Sequence, residues 1–360
     1  MKNIKMIILV ILLFQFSWTS SASAEEKTNI NLASESAIVI DAKSGFVIYE
    51  KNSEHKMYPA SITKIVTAIV ALEEGNPEDL VVVSENARNV DGTRVYLEEG
   101  EVVPLIKLLQ GLLINSGNDA GVAIAEHMDG SVEGFADRMN SFVKEKVGVT
   151  NTSFKNPHGL FDENHYTTAL DMAKITKYAL NNEVFTGIIS TQSLPWKGES
   201  WDTTLYNHHR LLREIPYDGI IGGKNGFVNQ SGFTLVTAAQ RGETKLIAVT
   251  LNSTTKNGQY EDTMALFDYG FENFDPSMVP KVEKPVEKTI TVEEPQNEEK
   301  KTNEMDNIWI HDGMGFAGEE SSSRPHSNLL TIFVSLFFFE ILAIFAFAKI
   351  RKNNGFNYHK

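Results

Sequence analysis

The 360-residue sequence predicts an α+β fold, in which the two ends of one domain complete an antiparallel sheet and a helical region is inserted between them. Alternating, strand-like stretches stand at both ends, Ser36 to Tyr49 on one side and Phe233–Ala239 with Lys245–Leu251 on the other. The chain between them is largely apolar segments of helical length and spacing. Beyond the last strand, Gln259 to Phe274 carries Met264, Leu266, Phe267, Tyr269 and Phe271, the pattern of a closing helix packed on the sheet.

Taken in order, Ser36 to Tyr49 reads as a hairpin turning at Lys43-Ser44-Gly45. Pro59-Ala60 lead into a helix that opens at Ser61 and continues through Ile65, Val66, Ala68, Ile69, Val70, Ala71 and Leu72 until Glu73-Glu74-Gly75 ends it. Pro104 to Ile114 and Ala120 to Met128 are two further helices, and Ser116-Gly117-Asn118 between them reads as a tight turn with polar side chains at its tip. Helices are also expected from Ser131 and near Thr168 to Leu180. Lys224-Asn225-Gly226 opens the segment Phe227 to Ala239, whose second half, Phe233 to Ala239, has the composition of a buried strand. Lys245 to Leu251 is its expected neighbour.

The flanks have other compositions. Lys2 and Lys5, the apolar run Met6 to Phe16 and the small residues Ala22-Ser23-Ala24 make residues 1–24 a secretory signal. That apolar run is well short of the roughly 20 residues needed to span a bilayer. Residues 28–274 form the folded domain. Residues 275–327 are dominated by Glu, Lys, Pro, Asn and Ser, which favours an extended stalk with at most a small strand pair at Val282 to Val292. Leu329 to Ala348, within a predicted helix over 328–349, is long and apolar enough to cross a membrane. Lys349, Arg351 and Lys352 follow it, so the tail 350–360 is expected on the cytoplasmic side and the folded domain outside. The net charge of −14 excludes the basic surface that nucleic-acid binding requires. The nine histidines show no ligand spacing, so neither metal nor cofactor is expected. Zero cysteines suits an exported protein that does without disulfides.

The chemistry lies in three short motifs. A serine hydroxyl is a poor nucleophile near neutrality and needs a base within hydrogen-bond reach and donors for the oxyanion. Ser61 and Lys64 are three residues apart, which on a helix puts both side chains on one face with roughly 5–6 Å between Cβ atoms. Burial of Lys64 beside a second cation, Lys224, would lower its proton affinity as a base requires. A serine in the first turn also has free backbone N–H groups beside it. A lone Ser-x-x-Lys is weak evidence, since an ordinary helix cap gives the same pattern. Ser61-x-x-Lys64, Ser116-Gly117-Asn118 and Lys224-Asn225-Gly226 in that order, each in a fitting context, are far more specific.

On these motifs the chain resembles the D-alanyl-D-alanine carboxypeptidases, the low-molecular-mass penicillin-binding proteins of the serine DD-peptidase family. The resemblance runs from about Ser34 to Phe274 and includes Ala37–Asp41 with Gly45–Tyr49, Tyr58–Ser61, Asn156–Leu160, Asp171–Ala173 and Asp218-Gly219. It implies a β-lactamase/transpeptidase-like fold with the active site at the seam of sheet and helices. It further implies that Ser61 is the acylated nucleophile, Lys64 its general base, Ser116 a proton relay to the departing D-alanine and Asn118 a holder of the substrate's peptide. Lys224 would support Ser116 and the substrate carboxylate, with Asn225 and Gly226 in the same binding strand, and the N–H groups of Ser61 and Phe227 would form the oxyanion hole. Peptidoglycan stem peptides are the implied substrates, β-lactams covalent inhibitors.

Three positions depart from the family. Threonine is usual where Asn225 stands and frequent where Val228 stands, and an arginine often follows the next strand where this chain reads Asn252-Ser253-Thr254-Thr255-Lys256. Asn225 can donate through its amide and Lys256 can supply charge, but without arginine's bidentate fork. Acylation is therefore expected to be intact, with substrate preference or turnover altered. Two other classes stay open at this point. A β-lactamase shares the first steps, but its glutamate-bearing E-x-x-L-N loop is not found between Ser116 and Lys224. A binding or sensor module would need a partner to carry its signal, because the tail 350–360 is too short to fold alone.

Overall fold

The computed structural model describes residues 30–280. The predicted signal at 1–24, nearly all of the predicted stalk, the predicted span at 328–349 and the tail lie outside the described residues. Among the described residues no helix is long and apolar enough to cross a membrane.

The predicted N-terminal hairpin is β1 (Ser34–Asp41) and β2 (Val47–Lys51). A 3₁₀ turn, Ala60–Thr63, then leads into α1 (Lys64–Glu74). The inserted region follows as β3 (Leu80–Val82), α2 (Glu85–Asn89), β4 (Val102–Pro104), α3 (Leu105–Ile114), α4 (Asn118–Asp129), α5 (Val132–Phe142), α6 (Ala169–Ala179) and α7 (Glu183–Ser190). The chain continues with the hairpin β5 (Ser193–Lys197) and β6 (Asp202–Tyr206), then α8 (Arg210–Arg213), β7 (Ile220–Val228), β8 (Gly232–Arg241), β9 (Thr244–Ser253) and the closing helix α9 (Gly258–Asn273). The helix starts expected at Ser131 and Thr168 are capped by those side chains, each accepting from a backbone N–H three residues on, Gly134 and Asp171, at 3.0 Å.

The main sheet has the order β2-β1-β9-β8-β7 with every pair antiparallel, so strands from both ends of the domain complete it, as expected. Its register decides what each face carries. Ile38 pairs with Val249, Val249 with Val236, and Val236 with Lys224, so one row of side chains crosses the sheet on a single face. The three aliphatic members join the large core that includes Ile65, Val66 and Ile69 of α1. Lys224 ends that row on the edge strand β7, which is how an ammonium group comes to be buried against the helical region. The opposite face, with Ala37, Val39, Leu246 and Ala248, packs on Leu266 and Phe267 of α9. A methyl group at Gly270 would lie 2.7 Å from the Leu246 side chain, so a residue without Cβ lets that helix come close.

Candidate active site

Ser61 lies in the 3₁₀ turn, and the α-helix begins only at Lys64; the expected α-helical first turn is thus wound more tightly. The cause is local. Ala60 has φ of +51°, a left-handed conformation costing roughly 1–3 kcal/mol, and the Pro59 carbonyl just before it accepts from the Thr234 hydroxyl of β8 at 2.8 Å. In a 3₁₀ turn residues i and i+3 eclipse, so the Lys64 amine stays over the Ser61 hydroxyl at a Nζ–Oγ distance of 3.0 Å.

Lys64 is fully buried and donates to three oxygens: Ser61 Oγ, Asn118 Oδ1 at 2.8 Å and the His158 carbonyl at 2.6 Å. Burial holds its proton affinity well below lysine's ordinary value, the Lys224 charge lowers it further, and Asp119 opposes both. An amine that gives up its proton this much more readily can exchange one with the serine, a chemistry that an exposed lysine lacks.

Asn118 opens α4 with its carboxamide fixed at both ends. Its Oδ1 accepts a hydrogen bond from Lys64 and its Nδ2 donates to the Asp91 carbonyl at 2.6 Å, while its backbone N–H donates to the Thr93 carbonyl at 2.7 Å. Ser116 is buried in the tight turn between α3 and α4, as predicted, and its φ of +63° permits the reversal. Among the described residues its hydroxyl makes no hydrogen bond with Ser61, Lys64 or Lys224; Lys64 is bonded elsewhere and Lys224 Nζ donates to the Asn225 carbonyl at 2.8 Å.

Lys224, Asn225, Gly226 and Phe227 all lie inside β7, whereas the sequence reads as a strand only from Phe233, in the neighbouring β8. Lys224 is buried, which pushes its pKa down to about 7. Gly226 brings the strand against the serine turn: a Cβ there would lie 2.6 Å from the Ser61 nitrogen and from Thr234 Oγ1. Phe227 is half-exposed and stacks on Phe233 with ring centroids 4.5 Å apart.

Two contributors were not visible in the motifs. Asp119 is fully buried, and its carboxylate accepts from the backbone N–H groups of Val95, Leu97 and Ala120 at 2.9–3.2 Å, which pins the loop that offers Asp91 and Thr93 to Asn118. Burial nevertheless raises its pKa. An acidic residue in a helix's first turn was the available signal, but it reads equally as ordinary capping. The other is the His158 carbonyl, a backbone group with no sequence signature. The ring of nearby His165 meets the Thr63 hydroxyl at 2.8 Å, and burial brings its pKa down to about 4, so it packs as a neutral imidazole beneath the serine turn.

The profile of the D-alanyl-D-alanine carboxypeptidase family matches residues 20–255. The D-alanyl-D-alanine carboxypeptidase DacF of Bacillus subtilis is 36% identical over 285 residues, covering 76% of this chain and 72% of that protein. DacA of Haemophilus influenzae is 32% identical over 277 residues, covering 71% and 67%. Among solved structures, a D-alanyl-D-alanine carboxypeptidase from Mycobacterium tuberculosis superposes with a TM-score of 0.65 at 30% identity, covering 70% of this chain and 96% of that one.

Proposed function

We propose, from the premise that the chain belongs to the D-alanyl-D-alanine carboxypeptidase family, that it removes the terminal D-alanine from peptidoglycan stem peptides through an acyl-enzyme on Ser61. The observation that carries the reading is the 3.0 Å contact between the Ser61 hydroxyl and an amine whose proton affinity is held low by burial and a neighbouring cation. Ser61 Oγ attacks the carbonyl carbon of the penultimate D-alanine while its proton passes to Lys64. The N–H groups of Ser61 and Phe227 receive the oxyanion. The C–N bond then breaks, and the amine leaves with a proton delivered from Lys64, by way of Ser116 once substrate closes the gap. Water attacks the ester, frees the shortened peptide and restores the serine. Asn118 orients Lys64 and the substrate amide, and Lys224 attracts the terminal carboxylate. β-Lactams enter by the same first step and stay as esters.

Tethering belongs to the same proposal. The apolar stretch at 328–349 with basic residues after it, and the signal pattern at 1–24, support an enzyme held to the membrane with its catalytic domain outside.

Incubation with labelled penicillin followed by peptide mapping is expected to find a covalent adduct at Ser61, and a pentapeptide ending in D-Ala-D-Ala is expected to release free D-alanine. No adduct and no D-alanine would remove the enzymatic reading. Asn225 offers a second check. Asn225→Thr is expected to raise kcat/KM for that pentapeptide by about 2–10-fold, through a hydroxyl better suited to a terminal carboxylate, with penicillin acylation nearly unchanged. Identical peptide kinetics in both proteins would show that this departure from the family pattern does not govern turnover.

A further inference from the structure

We propose that His165 is a positioning residue for acylation: its buried imidazole ties the serine turn to the loop that carries the His158 carbonyl, and so keeps the Lys64 amine over the Ser61 hydroxyl. The proposal rests on the peptidase reading above and adds to it a residue that none of the three motifs contains.

The hydrogen bonds fix the tautomer of the ring. The Lys155 backbone N–H donates to Nδ1 at 3.1 Å, and an N–H can only donate, so Nδ1 carries the lone pair. Burial keeps the imidazole neutral, with its pKa down to about 4, so its single hydrogen sits on Nε2 and is donated to Thr63 Oγ1 at 2.8 Å. Each ring nitrogen therefore holds a different part of the lysine's surroundings. Thr63 is fully buried and closes the 3₁₀ turn between Ser61 and Lys64. Lys155 enters the loop that, three residues on, presents the His158 carbonyl to Lys64 at 2.6 Å.

The ring is itself braced from outside the site. Its neighbours Tyr166 and Thr167 pair with Ser153 and Met57 through backbone hydrogen bonds of 2.7–2.9 Å, and the His165 N–H donates to the Asp162 carbonyl at 3.0 Å. Phe154 stands edge-on to the imidazole with ring centroids 5.4 Å apart. Among the described residues the ring makes no hydrogen bond to Ser61, Lys64 or Asn118, so it acts through Thr63 and Lys155. The strained backbone explains why such a clamp matters. Ala60 in the same turn is left-handed, so the turn would relax unless both of its ends were held. Thr234 holds the end at Pro59, and His165 holds the end at Thr63. A shift of about 1 Å between reacting groups can cost about 10²-fold in rate.

The test resolves penicillin acylation of the full chain into two constants, the rate of acylation and the dissociation constant of the complex that precedes it, with urea midpoints alongside. His165→Phe keeps a ring in place and removes both bonds. The acylation rate is expected to fall about 10–100-fold, with the dissociation constant changed less than about threefold. The limb of the pH profile set by Lys64 should move to higher pH, because a loosened turn admits water to the amine and returns part of its proton affinity. The amide variants divide the two bonds: His165→Gln can still donate to Thr63 and should recover most of the rate, whereas His165→Asn reaches only Lys155 and should stay low. Thr63→Val should reproduce the loss and Thr63→Ser should not, which carries the test without His165 being replaced if the ring variants fail to fold. The pair His165→Phe and Thr63→Val combined should acylate no more slowly than either alone. An unchanged acylation rate in His165→Phe and Thr63→Val, or a loss confined to the dissociation constant or the urea midpoint, would overturn the proposal. A parent that forms no Ser61 adduct would instead remove the peptidase reading, so the parent alone tells the two failures apart.

Discussion

Replacing Lys64 by alanine is expected to lower the rate at which penicillin acylates Ser61 by about 10²–10⁴-fold, the contribution of a well-placed general base. Arginine should not restore it, because a guanidinium stays protonated at every working pH. The effect is large because the amine's position is over-determined: Ser61, Asn118 and the His158 carbonyl each fix one of its donors. Removing it leaves the Asn118 and His158 oxygens buried without their partner, so some loss of stability should accompany the loss of activity.

The same site predicts the pH profile. The reactive form needs Lys64 neutral and Lys224 charged. Both have lowered proton affinity, Lys64 well below its ordinary value and Lys224 down to about 7. The second-order acylation constant, which reports the free enzyme, should thus be favoured by loss of the Lys64 proton and opposed, through about pH 7, by loss of the Lys224 proton. The two limbs belong to the interacting pair of lysines rather than to either alone. Stability has the opposite slope above that point. A lysine with a depressed folded pKa binds fewer protons folded than unfolded, so between about 7 and its ordinary value of 10.5 the contribution of Lys224 to stability increases with pH. Measuring acylation and urea denaturation from pH 5 to 9 checks both directions, and a rate still climbing at pH 9 would show that Lys224 need not be charged.

The parts of this site legible in the sequence were those coded by local spacing. Ser61 and Lys64 are one turn apart, Ser116 to Asn118 connect two apolar helices, and the helix starts at Ser131 and Thr168 are written in their caps. β7 was hidden by the very residues that make it functional. Its sequence Ile-Ile-Gly-Gly-Lys-Asn-Gly-Phe-Val has three glycines, which weaken any strand pattern. A Cβ at Gly223 would lie 2.0 Å from the Val236 carbonyl, and one at Gly226 would meet the serine turn, so close approach requires glycine where periodicity would call for side chains. The hairpin β5–β6 escaped for a similar reason, with Pro195 inside its first strand. The buried Asp119 and the His158 carbonyl were beyond local reading because their roles exist only after loops distant in sequence have packed together.

Gly159→Ala is expected to destabilise the protein by about 2–6 kcal/mol, from roughly 1–3 for a left-handed backbone and roughly 1–3 for overpacking. Gly159 has φ of +89°, and a Cβ there would lie 1.9 Å from the Ala60 carbonyl oxygen and 3.0 Å from the Ser61 nitrogen. Neither side can yield cheaply. The loop is braced by Asn156, whose side chain accepts from the Gly159 N–H at 2.7 Å and donates to the Leu160 carbonyl at 2.9 Å, and by Thr67, which donates to the Pro157 carbonyl at 2.6 Å. Ala60 is already strained and lies next to the anchored Pro59. Displacing the loop would also draw the His158 carbonyl away from Lys64, so acylation should fall even in the fraction that stays folded. Gly130→Ala is the informative comparison: its φ of +72° is also left-handed, but a Cβ there meets nothing within 4 Å. That variant should lose only about 1 kcal/mol and keep its acylation rate. Urea midpoints and penicillin labelling of the two proteins separate backbone strain from collision with the serine turn, and equal losses in both would mean that Gly159 serves conformation alone.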